Sequence, residues 1–202
     1  KIKSQIDAVW VIAPESENIL LRIESILSDK IWIGCQQCAI KIATSKSLTK
    51  EKLTKFGILN PDLVEKKNFF ANYILKPDDG AGSENTRIFH TLRQAIKEKE
   101  KLNKSGGKYI LEKFIDGSVM SFSMLCFENY LEVISIKKQI TEISSNGKVT
   151  FIKNSFINQD LYKSLNPKIF CIAKKIRKAL PGLMGFVGVD FILDKNKNVF
   201  VL

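Results

Sequence analysis

The chain of 202 residues lacks several features that would place it in a specialised class of protein. Its four cysteines are too few and too unevenly spread for a disulfide framework in a chain of this length. It has no uncharged apolar run near the roughly 20 residues that a membrane helix needs. Its first residues, KIKSQIDAVW, lack the apolar region and cleavage site of a signal peptide. These absences predict a cytoplasmic protein.

Positive charge is in excess, because 32 Lys and Arg residues face 21 Asp and Glu residues and give a formal net charge of +11. A basic chain is a first indication of nucleic-acid binding. The lysines are, however, scattered over the polar faces of amphipathic segments, and no nucleic-acid recognition motif accompanies them. Because such a field suits phosphate-bearing small molecules equally well, we predict small-molecule partners, with no nucleic acid and no membrane.

Metal and base chemistry have few candidates. Cys35 and Cys38 form a CxxC, but without a second CxxC or a histidine pair these thiols are expected to pack at a helix start. The single histidine, His90, is expected to be structural. Asp78 and Asp79 suit either a metal site or a turn, and both interpretations stay open.

The apolar pattern predicts a mixed α/β (α+β) fold without internal repeats. The predicted strands cover 7–13, 31–34, 73–77, 87–89, 109–115, 120–140 and 185–202, and the predicted helices 18–27, 39–42, 48–56, 91–102 and 167–180. Asn146-Gly147 is a strong hairpin signal between the central strands. The short apolar runs around Trp10 and Trp32 predict that both indoles lie in the core.

The best candidate for binding chemistry lies between Lys76 and Phe89. The small residues Gly80, Ala81, Gly82 and Ser83 let backbone amides approach an anion closely, and Lys76 adds a positive charge at a strand end. Neither GxxxxGK[ST] nor GxGxxG is present, so this is not a P-loop or a dinucleotide fingerprint. On the loop alone, a polyphosphate site and an ordinary long turn remain equal alternatives.

The order of the segments resembles the ATP-grasp superfamily of carboxylate ligases. A strand ending in Lys76-Pro77 and its glycine-rich loop are followed by LEKFIDG and then by GFVGVDFILDKNKNVFVL, so that the resemblance covers nearly the whole chain. Upstream, Lys46 and the stretch 57–61 match the family's lysine and Gly-Ile…Pro segment. The resemblance implies two α+β subdomains, 46–115 and 116–202, that grip ATP within an ATP-grasp domain 46–202, preceded by a partial α/β domain at 1–45.

The resemblance also implies roles for individual residues. Lys46 and Lys76 would contact the ATP phosphates, and the loop of Asp79, Gly80, Ala81, Gly82 and Ser83 would fold over them. Glu112 would accept a hydrogen bond from the adenine amino group, the backbone of Lys113, Phe114 and Ile115 would supply hinge hydrogen bonds, and the Phe114 ring would wall the base.

The implied metal ligand is Asp190, which would bind Mg²⁺. The implied catalytic lysines are Lys76 and Lys138, although Lys137 is an equal alternative to Lys138 because neighbouring strand residues face opposite ways. Val119 stands where many relatives carry a ribose-binding glutamate, which puts that contact in doubt. The family's further metal ligands, a Glu-x-Asn after a strand like VFVL, would fall after Leu202, so we expect a fragment that is not fully active.

In activity, the resemblance implies an ATP-dependent ligase that converts a carboxylate to an acyl phosphate and joins it to an amine. The run DGSVMSFSML followed by KKQI is similar to the archaeal tyramine–glutamate ligase group, which acts on the way to methanofuran. These resemblances allow a homodimer. The alternatives are an inactive ATP-binding module, which would bind ATP without releasing ADP, and a basic nucleic-acid-binding protein with steeply salt-dependent affinity.

Overall fold

The computed structural model describes residues 3–13, 18–64, 70–80 and 83–202, and these form three β-sheets flanked by helices. The strands are β1 (Ala8–Val9), β2 (Ile31–Trp32), β3 (Tyr73–Pro77), β4 (Arg87–Phe89), β5 (Tyr109–Lys113), β6 (Gly117–Phe127), β7 (Tyr130–Ile143), β8 (Val149–Phe156), β9 (Gly185–Asp194) and β10 (Val199–Val201). The helices are α1 (Ile19–Ile26), α2 (Gln37–Ala43), α3 (Lys46–Lys55), α4 (Leu92–Lys104) and α5 (Gln159–Ala179). Among the described helices, none is long and apolar enough to span a membrane.

The smaller of the two sheets that position the site has the antiparallel order β4-β3-β5. Helix α4 packs on one face of it, where Tyr73, Leu75, Ala95 and Leu111 form a buried cluster. Alternation along β3 therefore turns Leu75 towards this core and Lys76 towards the opposite face. On that opposite side Lys76 pairs with Glu112 of β5, which also pairs with Lys50 of α3, and Lys76 is buried there although it lies near the end of a strand.

The larger sheet has the antiparallel order β10-β9-β6-β7-β8. Its main core lies between one face and α5, where Met120, Phe122 and Phe191 meet Ile169 and Ala173. The expected amphipathic pattern of the helix provides that contact. The other face of β9 and β6 is thereby left for side chains that alternate with the core residues.

The tip of the β7–β8 hairpin connects the two sheets. The Ile88 amide of β4 donates to the Gly147 carbonyl at 2.8 Å, and the Val149 amide donates to the Thr86 carbonyl at 3.0 Å. Gly147 has φ +78°, and a Cβ there would lie 2.3 Å from the Ile88 carbonyl oxygen. The Asn146-Gly147 turn is therefore confirmed as a hairpin, and it also closes one end of the cleft between the sheets.

Three expectations about element boundaries and burial were wrong. Helix α5 begins at Gln159, well before Pro167, because the Asn158 side chain caps it by accepting from the Leu161 amide at 2.8 Å. The first apolar run forms a strand of only two residues, paired in parallel with β2. Trp10 is 66% exposed, so it is not a core residue, whereas Trp32 is half-buried.

Candidate functional site

A cleft of about 1130 Å³ lies between the two sheets, and it gathers residues from distant parts of the sequence. Ten of the predicted site residues line it: Lys46, Lys76, Asp79, Gly80, Ser83, Glu112, Lys113, Phe114, Ile115 and Asp190. Ala81 and Gly82 fall outside the described residues. Neither Lys138 nor its alternative Lys137 is among the residues that line the cleft. The cleft thus has one wall from β3, β5 and α3, called here the first wall, and one from β6, β7 and β9, the second wall.

The first wall contains a buried cluster of three charges. The Lys76 ammonium and the Lys50 ammonium each lie 3.0 Å from a different oxygen of the Glu112 carboxylate. The side chains of Lys50 and Glu112 are 4% and 1% exposed. Burial lowers the pKa of Lys50, and Glu112 opposes this effect. The cluster carries one net positive charge next to the cleft, which favours an anionic ligand.

Lys46 organises the loop that follows β3. Its ammonium donates to the carbonyl oxygens of Asp79 and Gly80 at 2.7 and 2.9 Å. Burial and the neighbouring charge of Lys76 both lower the pKa of Lys46. The two lysines therefore stand close together at the start of the loop, as a polyphosphate site requires.

Asp78 joins the loop to the start of α3. Its carboxylate accepts from the Ser47 amide, from the Ser45 hydroxyl and from the Lys108 ammonium, each at 2.8 Å. Burial alone would raise the pKa of Asp78, but Lys108, Ser47 and Ser45 lower it overall. These donors occupy the carboxylate, so the structure favours the turn interpretation over direct metal binding for Asp78.

The predicted hinge backbone is only partly available to a ligand. The Lys113 amide donates to the Asp62 carbonyl at 2.9 Å, and the Phe114 amide donates to the Asn72 carbonyl at 3.1 Å. Within the described parts of the chain, the Ile115 amide has no such partner. The amides of Lys113 and Phe114 thus have partners within the chain, and the hinge hydrogen bonds expected from the backbone of this segment stay a prediction.

The second wall carries a row of three polar residues across β9, β6 and β7, which continues to an aromatic residue on β8. Asp190 of β9 is opposite Ser121 of β6, which is opposite Lys137 of β7, which is opposite Phe156 of β8. Opposite residues in antiparallel strands share one face of the sheet. The Gln139 amide nitrogen, two positions along from Lys137, donates to Asp190 Oδ1 at 2.7 Å. Lys137 thus lies on the face of Asp190.

Lys138 lies on the opposite face of β7, so the register favours the alternative, Lys137, while the catalytic role of either lysine stays a prediction. It is opposite Met120, which belongs to the core between the larger sheet and α5. The irregularities in the ladders of β7 lie outside this part of the strand, so the alternation is unbroken here. Lys138 therefore lies on the face away from Asp190, where it is exposed.

Asp190 lines the cleft and is exposed to solvent. Desolvation by the surrounding walls raises its pKa, while the Gln139 bond and the positive charges of Lys76 and Lys46 oppose that rise. No lysine or arginine of the described chain lies within 4.0 Å of it. A cation would compensate this charge.

Magnesium fits this position under one condition. The described residues contain no group of three His, Cys, Asp or Glu side chains that could hold a metal. Mg²⁺ is commonly bound by one or two carboxylates together with phosphate oxygens and water. The residues present therefore suit Mg²⁺ when it arrives with a phosphate ligand and Asp190 supplies the carboxylate.

Sequence reasoning missed Lys50 and Gln139. Lys50 follows Lys46 by one helical turn, and this spacing puts both lysines on one face of α3. Gln139 follows Lys137 by two residues, which puts both on one face of a strand. Neither signal could be used without knowing which face of α3 or β7 borders the cleft.

The remaining candidates have structural partners. The thiols of Cys35 and Cys38 donate to the carbonyls of Met184 and Pro181, each at 3.3 Å, which confirms that they pack at the start of α2. His90 Nδ1 is 2.6 Å from the Asn72 side-chain oxygen. Val119 lines the cleft and offers an apolar contact in place of a carboxylate.

Two solved ligases share the fold of this chain. The D-Ala:D-Ser ligase from Enterococcus faecalis has a TM-score of 0.75 at 17% identity, with 97% of this chain and 62% of that chain covered. The D-alanine–D-alanine ligase from Coxiella burnetii has a TM-score of 0.72 at 17% identity, with 96% and 57% covered. At this identity the likeness concerns the fold alone.

Curated relatives are more similar in sequence. The tyramine–L-glutamate ligase of Methanocaldococcus jannaschii is 29% identical over 206 residues, which cover 100% of this chain and 56% of that protein. The enzyme of the same name from Methanocaldococcus fervens is 26% identical over 200 residues, covering 98% and 57%. The chain therefore spans little more than half the length of these relatives.

Family models match the chain in two parts. The pre ATP-grasp 3 domain matches residues 2–40, and the ATP-grasp domain matches residues 43–202. The second match covers the two sheets, the loop after β3 and every predicted site residue of both walls. The chain belongs to the ATP-grasp family.

Proposed function

We propose that this protein is an ATP-dependent ligase that joins a carboxylate to an amine and releases ADP and phosphate. The observation that carries the proposal is the convergence of Lys46, Lys76 and Asp190 on one cleft. Two lysines and a lightly partnered carboxylate suit a polyphosphate bound together with a divalent cation. The family membership of the chain supports ATP as that polyphosphate.

In the proposed reaction, a substrate carboxylate oxygen attacks the γ-phosphorus of ATP. The bond between that phosphorus and the β,γ-bridging oxygen breaks, which leaves ADP and an acyl phosphate. A neutral amine then attacks the acyl carbon, the carbon–oxygen bond to phosphate breaks, and the amine loses a proton as the amide forms. The balance is one ATP consumed, one amide formed, and ADP and phosphate released.

The residues of this chain serve the first step through electrostatics. Lys46 and Lys76 would offset the repulsion between the anionic carboxylate and the triphosphate, because fixed charges are most effective in a site that excludes water. Mg²⁺ bound at Asp190 would neutralise further phosphate charge. The loop from Asp79 to Ser83 would exclude water from the acyl phosphate, which otherwise hydrolyses.

The proposed substrates are glutamate as the carboxylate and tyramine as the amine. Both curated relatives are named tyramine–L-glutamate ligase, and each aligns with nearly all of this chain. We place the reaction in methanofuran biosynthesis on the same ground. The cytoplasm is the proposed location, and residues 46–202 are the proposed ATP-grasp domain.

A coupled ADP-release assay tests the activity. The full-length protein is incubated with MgATP and with glutamate alone, tyramine alone or both, and the amide product is followed by mass spectrometry. We expect ADP and amide in equal amounts only when all three substrates are present. Binding of MgATP by calorimetry without ADP release from any amino acid and amine pair would indicate the nucleotide-binding module instead.

We propose that Lys137 is the lysine of the second wall that acts on the phosphates. A matched pair of variants tests this role. Lys137→Met and Lys138→Met remove the same charge from neighbouring positions on opposite faces of β7. We expect Lys137→Met to weaken MgATP binding or slow ADP release at least tenfold, and Lys138→Met to change either by less than twofold. Equal effects would show that the sheet face does not decide the role.

A further inference from the structure

Lys50 is a buried charge that the proposed reaction does not use. It lies on α3, one turn after Lys46, and its side chain is 4% exposed. Its ammonium is 3.0 Å from Glu112 Oε1, while Lys76 occupies Glu112 Oε2. Burial of a charged lysine costs desolvation free energy, and the ion pair with Glu112 offsets that cost.

The geometry poses a problem for Lys76. A lysine that contacts nucleotide phosphates has to turn its ammonium towards them, and in this structure that ammonium is held by Glu112. If Glu112 had no other partner, the departure of Lys76 would leave a carboxylate that is 1% exposed without a counter-charge. Leaving one buried ion uncompensated is strongly unfavourable.

We propose that Lys50 is a positioning residue that keeps Glu112 neutralised and thereby lets Lys76 move to the phosphates. The inference rests on the proposed function, since it takes a nucleotide phosphate as the ligand that Lys76 meets. Lys50 stays on Oε1 throughout, and Oε2 becomes free when Lys76 leaves. The freed oxygen is then available to a hydrogen-bond donor of the ligand, which is compatible with the predicted contact of Glu112 with an amino group.

The burial of the Lys50–Glu112 pair distinguishes Lys50 from a surface lysine on the same helix. Lys55 on the same helix pairs with Glu51, and the two side chains are 61% and 55% exposed. Water can replace either partner of that pair at little cost. Removal of the Lys50 charge, in contrast, leaves Lys76 as the one cation among the described residues that contacts Glu112 directly, so that Lys76 is held more firmly.

The test measures affinity by calorimetry with two ligands, MgATP and magnesium tripolyphosphate, which share the phosphates but not the base. Lys50→Met is expected to weaken both by about tenfold, which corresponds to about 1.4 kcal/mol. Lys50→Arg restores the cation and is expected to stay within threefold of the wild type. Lys55→Met, a matched charge removal on the same helix, is expected to change neither affinity.

A double-mutant cycle separates release of Lys76 from direct contact between Lys50 and the ligand. In the Glu112→Gln background Lys76 is not held by a carboxylate, so adding Lys50→Met is expected to change affinity by less than twofold. The same tenfold loss in both backgrounds would overturn the inference, because it would mean that Lys50 acts on the phosphates itself. Circular dichroism and thermal unfolding establish that each variant is folded.

The outcomes distinguish this inference from the proposed function. If the wild type binds neither ligand, the proposed function fails and this inference fails with it. If the wild type binds and Lys50→Met binds equally well, only the role of Lys50 is overturned. If Lys50→Met does not fold, two other variants decide the matter. Lys50→Arg is expected to bind as tightly as the wild type. The double variant Lys50→Met with Glu112→Gln is expected to bind as tightly as Glu112→Gln alone.

Discussion

The two walls of the cleft hold their charges in different ways. In the first wall, the Glu112 carboxylate is paired with two lysines at 3.0 Å and away from solvent, which leaves one net positive charge. In the second wall, the Asp190 carboxylate is open to solvent and has one hydrogen-bond partner among the described residues, Gln139. A buried charge must be paired, whereas a charge in an open cleft can stay hydrated. The first wall therefore pairs its carboxylate without a ligand and offers positive charge, while the second keeps a carboxylate available for a cation.

The largest expected effect comes from breaking the first wall. Glu112→Ala leaves two buried lysines without a counter-ion and is expected to lower the free energy of unfolding by about 3–5 kcal/mol. Chemical denaturation measures this directly. Glu98→Ala is the control, because its partner Arg87 is 3.7 Å away and partly exposed, and we expect a loss below about 1 kcal/mol. Equal losses would mean that burial does not set the cost.

A smaller effect is expected where the hairpin tip joins the walls. Gly147→Ala combines φ +78° with a Cβ 2.3 Å from the Ile88 carbonyl oxygen, and we expect a loss of about 1–3 kcal/mol. Amide hydrogen exchange at Ile88 and Val149 should accelerate as these contacts open. Gly106→Ala has φ +88° but no atom within 4 Å of the added Cβ, so it reports the backbone strain alone. A loss no greater than that control would show that the contact adds nothing.

The smallest expected effect on stability comes from the second wall, where the substitution is expected to stabilise the protein and not to destabilise it. The pKa of Asp190 is raised by desolvation, so between the usual carboxyl range and that raised pKa the folded state binds more protons than the unfolded state. Stability should therefore fall as pH rises through this window. Asp190→Asn should remove that dependence and raise the Tm of the ligand-free protein near neutral pH, while it weakens the Mg²⁺ dependence of ATP binding.

Asp194 provides the contrasting control for the same strand. Desolvation raises the pKa of Asp194, but the hydrogen bonds that Asn198 and Asn196 donate to its carboxylate lower that pKa overall. Its contribution is therefore present above the usual carboxyl range and is lost as pH falls through the lowered pKa. Thermal unfolding of Asp194→Asn and Asp190→Asn across the acid range should give opposite trends. Trends of the same sign would contradict the assignment for Asp190.

Much of the fold could be predicted because local signals agreed with the tertiary structure. The strands 73–77 and 87–89 were placed at their observed bounds, since an apolar run, a proline and a polar loop delimit them. Helix α3 ends before Gly57, whose φ of +63° suits the predicted stop. Lys46, Lys76 and Asp190 lie on the cleft, although their roles towards ATP and Mg²⁺ remain predictions.

Other features depended on neighbours that no local pattern reveals. Trp10 resembles a core residue in sequence, yet it is largely exposed because β1 is short and pairs only with β2. The predicted helix 167–180 began too late, because the capping side chain of Asn158 lies further upstream. Local propensity is a weak guide where a cap or a partner strand decides the boundary.

By itself, the sequence determined the order of the strands, helices and glycine-rich loop, and that order was sufficient to indicate the family. Tertiary structure alone placed Lys137, and not Lys138, on the same sheet face as Asp190, because the face of a strand residue is set by its register against β6 and β9. It also decided the partners of Glu112, which come from α3 and β3, separated from it by tens of residues. Chain order is encoded locally, whereas the pairing of buried charges exists only once distant segments have excluded water from around them.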